Sequence, residues 1–146
     1  PIKKTVVLEF KDTDSKSWYA RYVAAAKNDG IVQGYDGNIF KPAATVSKAE
    51  FLKMLFESAG FKIANVKTKP FEDVETNAWY AKYVAYAKDK KLIDTNSNFF
   101  KPNEGLTRLE TAEILYKTIA MLVSSNPNYS SNLVVTNESF SNYFKN

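Results

Sequence analysis

Two short stretches of this 146-residue chain, Ser47-Lys-Ala-Glu50 and Thr107-Arg-Leu-Glu110, combine residue types at a spacing that could do chemistry. In each, a hydroxyl residue is followed three positions later by glutamate, the pattern of a capping box, with a cation between them. Free amides and the helix dipole already favour an anion at a helix start, and Arg108 adds a planar fork suited to a carboxylate. A cation there costs the helix about 0.3–1 kcal/mol, which hints at a use, although a structural salt bridge would also account for it. Lys48 offers a point charge without the fork. Gly34-Tyr35-Asp36-Gly37 is a tight turn whose backbone needs conformations that Gly and Asp tolerate. Trp18 and Trp79 could stack on sugar rings, but their place at the start of an apolar helical stripe favours the core. Asp12 and Asp73 stand upstream of those stripes, where capping or turn formation is the plain reading and hydrogen bonding to sugar hydroxyls the alternative. Glu50 and Glu110 read as capping partners and not as an acid/base pair.

What the chain lacks narrows the field. It has no Cys and no His, so thiol nucleophiles, zinc-thiolate sites, the commonest general base and the commonest transition-metal ligand are all missing. An enzyme finds no support, and no cofactor or metal site is expected; Asp12 and Asp14 alone supply too few oxygens for calcium. The net charge of +4 favours polyanionic partners in general. The 20 Lys and Arg are scattered among 16 acids without a basic stripe, which argues against nucleic acid. No apolar run approaches the ~18 residues of a membrane span. Starting at Pro1 without a signal-peptide pattern, the chain reads as a processed form or an excised fragment.

The elements that position these residues come in pairs. Phe10 to Lys27 and Phe71 to Lys88 align without a gap and share Phe, Asp, Trp, Tyr, Ala, Tyr, Val, Ala, Ala and Lys, too many for chance. Asp12, Asp14, Ser15 or Ser17 is expected to cap a first helix of about 12 residues, with Trp18, Tyr22, Ala25 and Ala26 on one face, Tyr19, Val23 and Ala26 on the adjacent one, and an end at Asn28-Asp-Gly30. The box at Ser47 opens a second helix with an apolar stripe of Leu52, Leu55, Phe56 and Ala59. In the second copy, Thr76 or Asn77 is expected to cap the helix carrying Trp79, Tyr83, Tyr86 and Ala87. Phe100-Lys-Pro102 matches Phe40-Lys-Pro42, and the last helix carries Leu109, Ala112, Leu115, Tyr116, Ile119 and Leu122. The predicted fold is mainly α: two helix-turn-helix repeats packed as a bundle, with short extended or β segments at the termini. Its parts are a lead-in at 1–9, repeat one at 10–62, a polar linker at 63–70, repeat two at 71–123 and a tail at 124–146. Thr5 to Leu8 and Leu133 to Thr136 are β-branched patches that read as strands.

Phe-x-Asp…Trp-Tyr-Ala…Val…Ala, then Gly-Tyr-Asp-Gly, Phe-x-Pro and Thr-Arg-x-Glu, in that order, resembles the S-layer homology repeat. The resemblance covers about 10–60 and 71–123. It implies a non-catalytic module that anchors a protein on the bacterial cell surface or wall, outside the cell, by binding an anionic, pyruvylated secondary cell-wall polysaccharide or peptidoglycan. The family's usual form is three repeats with ligand grooves between neighbours. Here there are two, with Lys48 where the family prefers Arg and Asp94-Thr-Asn-Ser-Asn98 in place of the second glycine turn. With grooves between repeats, the resemblance implies a site assembled from the turn Gly34, Tyr35, Asp36 and Gly37 of the first repeat and Arg108 of the second; Lys48, Trp18, Trp79, Asp12 and Asp73 are further candidates read from the residues themselves. The alternative is a structural subunit of a surface layer or filament, a homo-oligomer whose terminal strands pair between copies.

Overall fold

A computed structural model describes residues 9–125; the strand patches at Thr5–Leu8 and Leu133–Thr136 lie outside the described residues. Four helices follow in chain order: α1 (Ala20–Asn28), α2 (Lys48–Ser58), α3 (Ala81–Asp89) and α4 (Arg108–Ser125). The protein is mainly helical, and among the described residues extended pairing is confined to the isolated bridges Tyr35–Ile39 and Ser47–Gly105. The chain divides into two compact units at 106/107, so α1, α2 and α3 share the first and α4 is the described part of the second.

Both capping boxes form. Ser47 accepts the Glu50 amide while Glu50 accepts the Ser47 amide at 2.9 Å, and Thr107 and Glu110 repeat the exchange at 3.1 and 2.8 Å. The expected side-chain caps on α1 and α3 do not. Tyr19 and Tyr80 occupy those positions without a side-chain bond, because two successive tight turns lead the backbone into the helix. Ser17 N donates to Asp14 O and Ala20 N to Ser17 O, and Ala78 to Glu75 and Ala81 to Ala78 follow suit, all at 3.0 Å. The helices thus begin two residues after their tryptophans and run nine residues each.

At its other end α1 closes with Ile31 N on Ala26 O (2.9 Å) and Gly30 N on Lys27 O (3.1 Å), a Schellman motif. The end of α3 repeats both bonds, Leu92 to Ala87 and Lys91 to Lys88, but Lys91 fills the left-handed position at φ +54° that Gly30 fills at +74°.

The core of the first unit lies between α2 and α3, with contributions from the loops before each helix. Leu52, Phe56, Val74, Val84 and Ala87 are fully enclosed. Phe56 meets Phe61 and Tyr86 edge-on, at ring separations of 5.6 and 5.2 Å. The Tyr83 hydroxyl donates to the Glu57 carboxylate, tying α3 to α2. The first amides of α2 are used as well: Lys48 N donates to Glu104 O and Ala49 N to Pro102 O.

The predicted stripes shift in register. Trp18 is 81% exposed and Trp79 54%, so neither belongs to the core; α1 buries Val23 of the adjacent face together with Ala20 and Ala24. Periodicity counted from Trp18 places it on a face that exists only from Ala20 onward. In α4 the buried pair is Ile114 and Thr118, one turn apart, while Leu109, Leu115 and Ile119 of the predicted stripe are exposed. Thr118 can be buried because its hydroxyl donates to Ile114 O at 2.7 Å. No helix among the described residues is long and apolar enough to cross a membrane.

Candidate functional site

Each repeat is clipped shut by an aspartate. Asp12 accepts the amides of Phe40 and Lys41 at 2.8 and 2.7 Å, and Asp73 accepts those of Phe100 and Lys101 at 2.9 and 2.6 Å. The Phe40 amide is the main reason the Asp12 carboxyl lies below its ordinary range. Rings pair across the clip, Phe10 with Phe40 and Phe71 with Phe100, and Lys27 and Lys88 stand over Phe10 and Phe71. Both oxygens of each aspartate are thereby engaged in turn formation.

The clip in repeat one presents the Gly34 turn. Tyr35 and Ile39 exchange backbone bonds around it (2.7 and 3.4 Å). Gly34 holds φ +76°, and a Cβ there would lie 2.7 Å from Ile39 O and closer still to the Phe10 ring, so this position excludes any side chain.

Beside this turn lies a groove of about 460 Å³. One wall is the segment from Ile31 to Tyr35, another is Phe40 to Val46, and α2 supplies Glu50, Lys53 and Met54. Repeat two contributes Trp79. The lining is largely apolar with a few polar groups at fixed places, the usual composition of a small-molecule or sugar site. The Tyr35 hydroxyl donates to Glu50 Oε1 at 2.8 Å, and Lys41 Nζ stands 4.5 Å from the centre of the Tyr35 ring. Lys53 Nζ donates to Ile31 O at 3.0 Å.

Glu50 is more than a cap, since one oxygen serves the box and the other holds Tyr35 in place. Burial pushes its carboxyl up, but the bonds from Ser47 and Tyr35 outweigh that and hold it below its ordinary value. The same bond, followed by burial, raises the Tyr35 phenol. At neutral pH the pair is a carboxylate and a neutral phenol.

Of the residues singled out from sequence, Gly34, Tyr35 and Trp79 line this groove. Asp36, Gly37, Trp18, Asp12, Asp73 and Lys48 do not. Lys48 Nζ lies 3.8 Å from Glu104. Trp18 packs its edge on Tyr19 and Tyr22. Arg108 is the exposed first residue of α4, in the second unit. Lys41, Lys53 and Met54 were missed. For Lys53 a signal existed, because it falls one turn after Glu50 on the same face of α2.

A model of the S-layer homology domain matches residues 9–52 and 70–112, one match per repeat. The chain is 28% identical over 128 residues to an exoglucanase of Acetivibrio thermocellus, covering 84% of this chain and 11% of that protein. It is 30% identical over 109 residues to the surface-layer 125 kDa protein of Lysinibacillus sphaericus (73% of this chain, 9% of that one). A cellulosome-anchoring protein of Acetivibrio thermocellus is 30% identical over 98 residues (63% and 22%). The chain thus spans a tenth to a fifth of the length of these relatives, and the enzyme's name carries no activity over to it. With the repeat matched twice across both helix pairs, this chain belongs to the S-layer homology domain family, the modules that anchor proteins at the cell surface.

Proposed function

We propose that this chain is a non-catalytic wall anchor that seats part of an anionic, pyruvylated secondary cell-wall polysaccharide in the groove between the Gly34 turn, α2 and Trp79. The observation that carries the reading is the lining itself: an exposed indole and a phenol beside apolar side chains, with two lysines, Lys41 and Lys53, among them. Aromatic faces suit the C–H surfaces of pyranose rings, and the cations suit the acid. Arg108, exposed at the first turn of α4, is proposed as a separate anion contact in the second unit. Peptidoglycan is the competing wall partner. Sedimentation of the protein with purified sacculi, before and after removal of the pyruvylated polymer, tests the reading. Binding should depend on the polymer and fall in Trp79→Ala and Arg108→Ala; binding unaffected by stripping the polymer refutes the choice of ligand, and no binding refutes the anchor.

Trp18 favours a second reading. It is 81% exposed beside Tyr22, whose ring carries the Arg21 guanidinium at 4.7 Å. Its counterpart Trp79 lines a groove against the other repeat, so Trp18 is suited to the same role against a second copy of the chain in a surface lattice or filament. Concentration-dependent sedimentation velocity that Trp18→Ala abolishes would support this; a monomer at all concentrations refutes it.

A further inference from the structure

The cation of the Ser-Lys-x-Glu motif is not in the groove. Lys48 has its ammonium 3.8 Å from the Glu104 carboxylate and its amide on the Glu104 carbonyl, so it faces the segment leading to the second capping box. The groove is nevertheless lined by two other lysines, Lys41 at the variable position of Phe-x-Pro and Lys53 one turn into α2.

We propose that Lys41 and Lys53 together bind the acidic group of a carboxylate-bearing sugar in this groove. The assignment rests on the wall-glycan reading above. Lys41 is held by its backbone: φ is +59°, and the amide is fixed on Asp12 Oδ2 at 2.7 Å. Its ammonium stays over the Tyr35 ring, which leaves its N–H groups available to an acceptor at the rim. Lys53 spends one N–H on Ile31 O and has two more.

The remaining polar groups fit one acidic sugar and not a bare anion. Glu50 would repel an anion if it were open, but Oε2 accepts the Ser47 amide and hydroxyl and Oε1 accepts the Tyr35 hydroxyl. Because the Tyr35 proton is committed to Glu50, its phenolic oxygen is left as an acceptor, able to take a hydroxyl proton from a sugar. Trp79 keeps half its surface open for the ring. The groove thus carries donors for an acid, an acceptor for a hydroxyl and an aromatic surface for a pyranose.

Titration calorimetry of the full chain tests this with two probes, a methyl galactoside bearing a 4,6-carboxyethylidene ketal and its uncharged ethylidene analogue. Two partly exposed ion pairs predict about tenfold tighter binding of the acidic probe, lost in high salt. Lys41→Gln/Lys53→Gln should abolish the preference, Lys41→Arg/Lys53→Arg should restore it, and Lys48→Gln should leave it intact, with circular dichroism confirming the fold of each. Loss of the preference in Lys48→Gln, or its survival in the double glutamine variant, overturns the assignment. Wild-type protein that binds sacculi yet fails to prefer the acidic probe overturns this assignment alone. Failure to bind sacculi as well overturns the wall-glycan reading on which it rests.

Discussion

Gly34→Ala and Gly37→Ala form a matched pair that separates conformational cost from steric cost in the turn beside the groove. Both glycines are left-handed, at φ +76° and +78°. An alanine held there costs roughly 1–2 kcal/mol for backbone conformation alone. At Gly37 a Cβ meets no heavy atom within 4 Å, so that is the whole cost. At Gly34 the Cβ would stand 2.7 Å from Ile39 O and against the Phe10 ring. Phe10 is buried, with its ring packed at a tilt 5.2 Å from that of Phe40, so it has little room to swing away, and overpacking adds about 1–3 kcal/mol. Gly34→Ala should therefore lose roughly 2–5 kcal/mol against 1–2 for Gly37→Ala, a Tm gap of about 4 °C for each kcal/mol of difference. Urea denaturation followed by far-UV circular dichroism measures both. Phe10→Leu combined with Gly34→Ala should recover part of the loss, since the pair shares the clash. Equal losses for the two alanines, or strict additivity with Phe10→Leu, would refute the steric argument.

Three further expectations follow from other parts of the molecule. Lys91→Gly should stabilise the protein by about 0.5–1 kcal/mol, because it relieves a left-handed lysine at the end of α3 without touching the Schellman bonds; thermal melts read this directly. Burial, then the bond to Glu57, raises the Tyr83 phenol above its ordinary range, so its stabilising contribution is complete below the unfolded value of about 10 and is lost as pH rises beyond it. Tyr83→Phe should flatten that alkaline decline in stability and cost about 1 kcal/mol at neutral pH, as denaturation across pH 7 to 11 would show. Acrylamide should quench Trp18 more efficiently than Trp79, measured in the single-tryptophan variants Trp79→Phe and Trp18→Phe, in line with their 81% and 54% exposure.

Local features were legible in the sequence and distant ones were not. The capping boxes at Ser47 and Thr107 were readable because donor and acceptor lie three residues apart on one turn. Gly30 announced the end of α1, but Lys91 at the matching position gave no warning that the backbone turns left-handed there. The tryptophans were misplaced because a helical face cannot be extrapolated back through the two turns that precede Ala20 and Ala81. In α4, apolar residues occur on several sides, and the pattern could not tell that Ile114 and Thr118 are the buried pair. The aspartates' partners lie 27 to 29 residues away, beyond any spacing rule, so their carboxylates looked free for caps or sugars. Lys41 and Lys53 reach the groove only because the clip and α2 are folded together, which no motif encodes.

That clip has a bearing on how such chains grow. Asp12 and Asp73 each close a loop wholly inside their own repeat, with their own ring pair and their own lysine. A tandem duplication of the gene segment therefore copies the closure along with the helices, and the new repeat needs no partner to shut its loop. Recombination between an aspartate and its turn would separate the two halves of the clip. Breakpoints that fall in the linker at 63–70 leave every clip whole, which makes the repeat, and not the single helix, the unit that can be gained or lost.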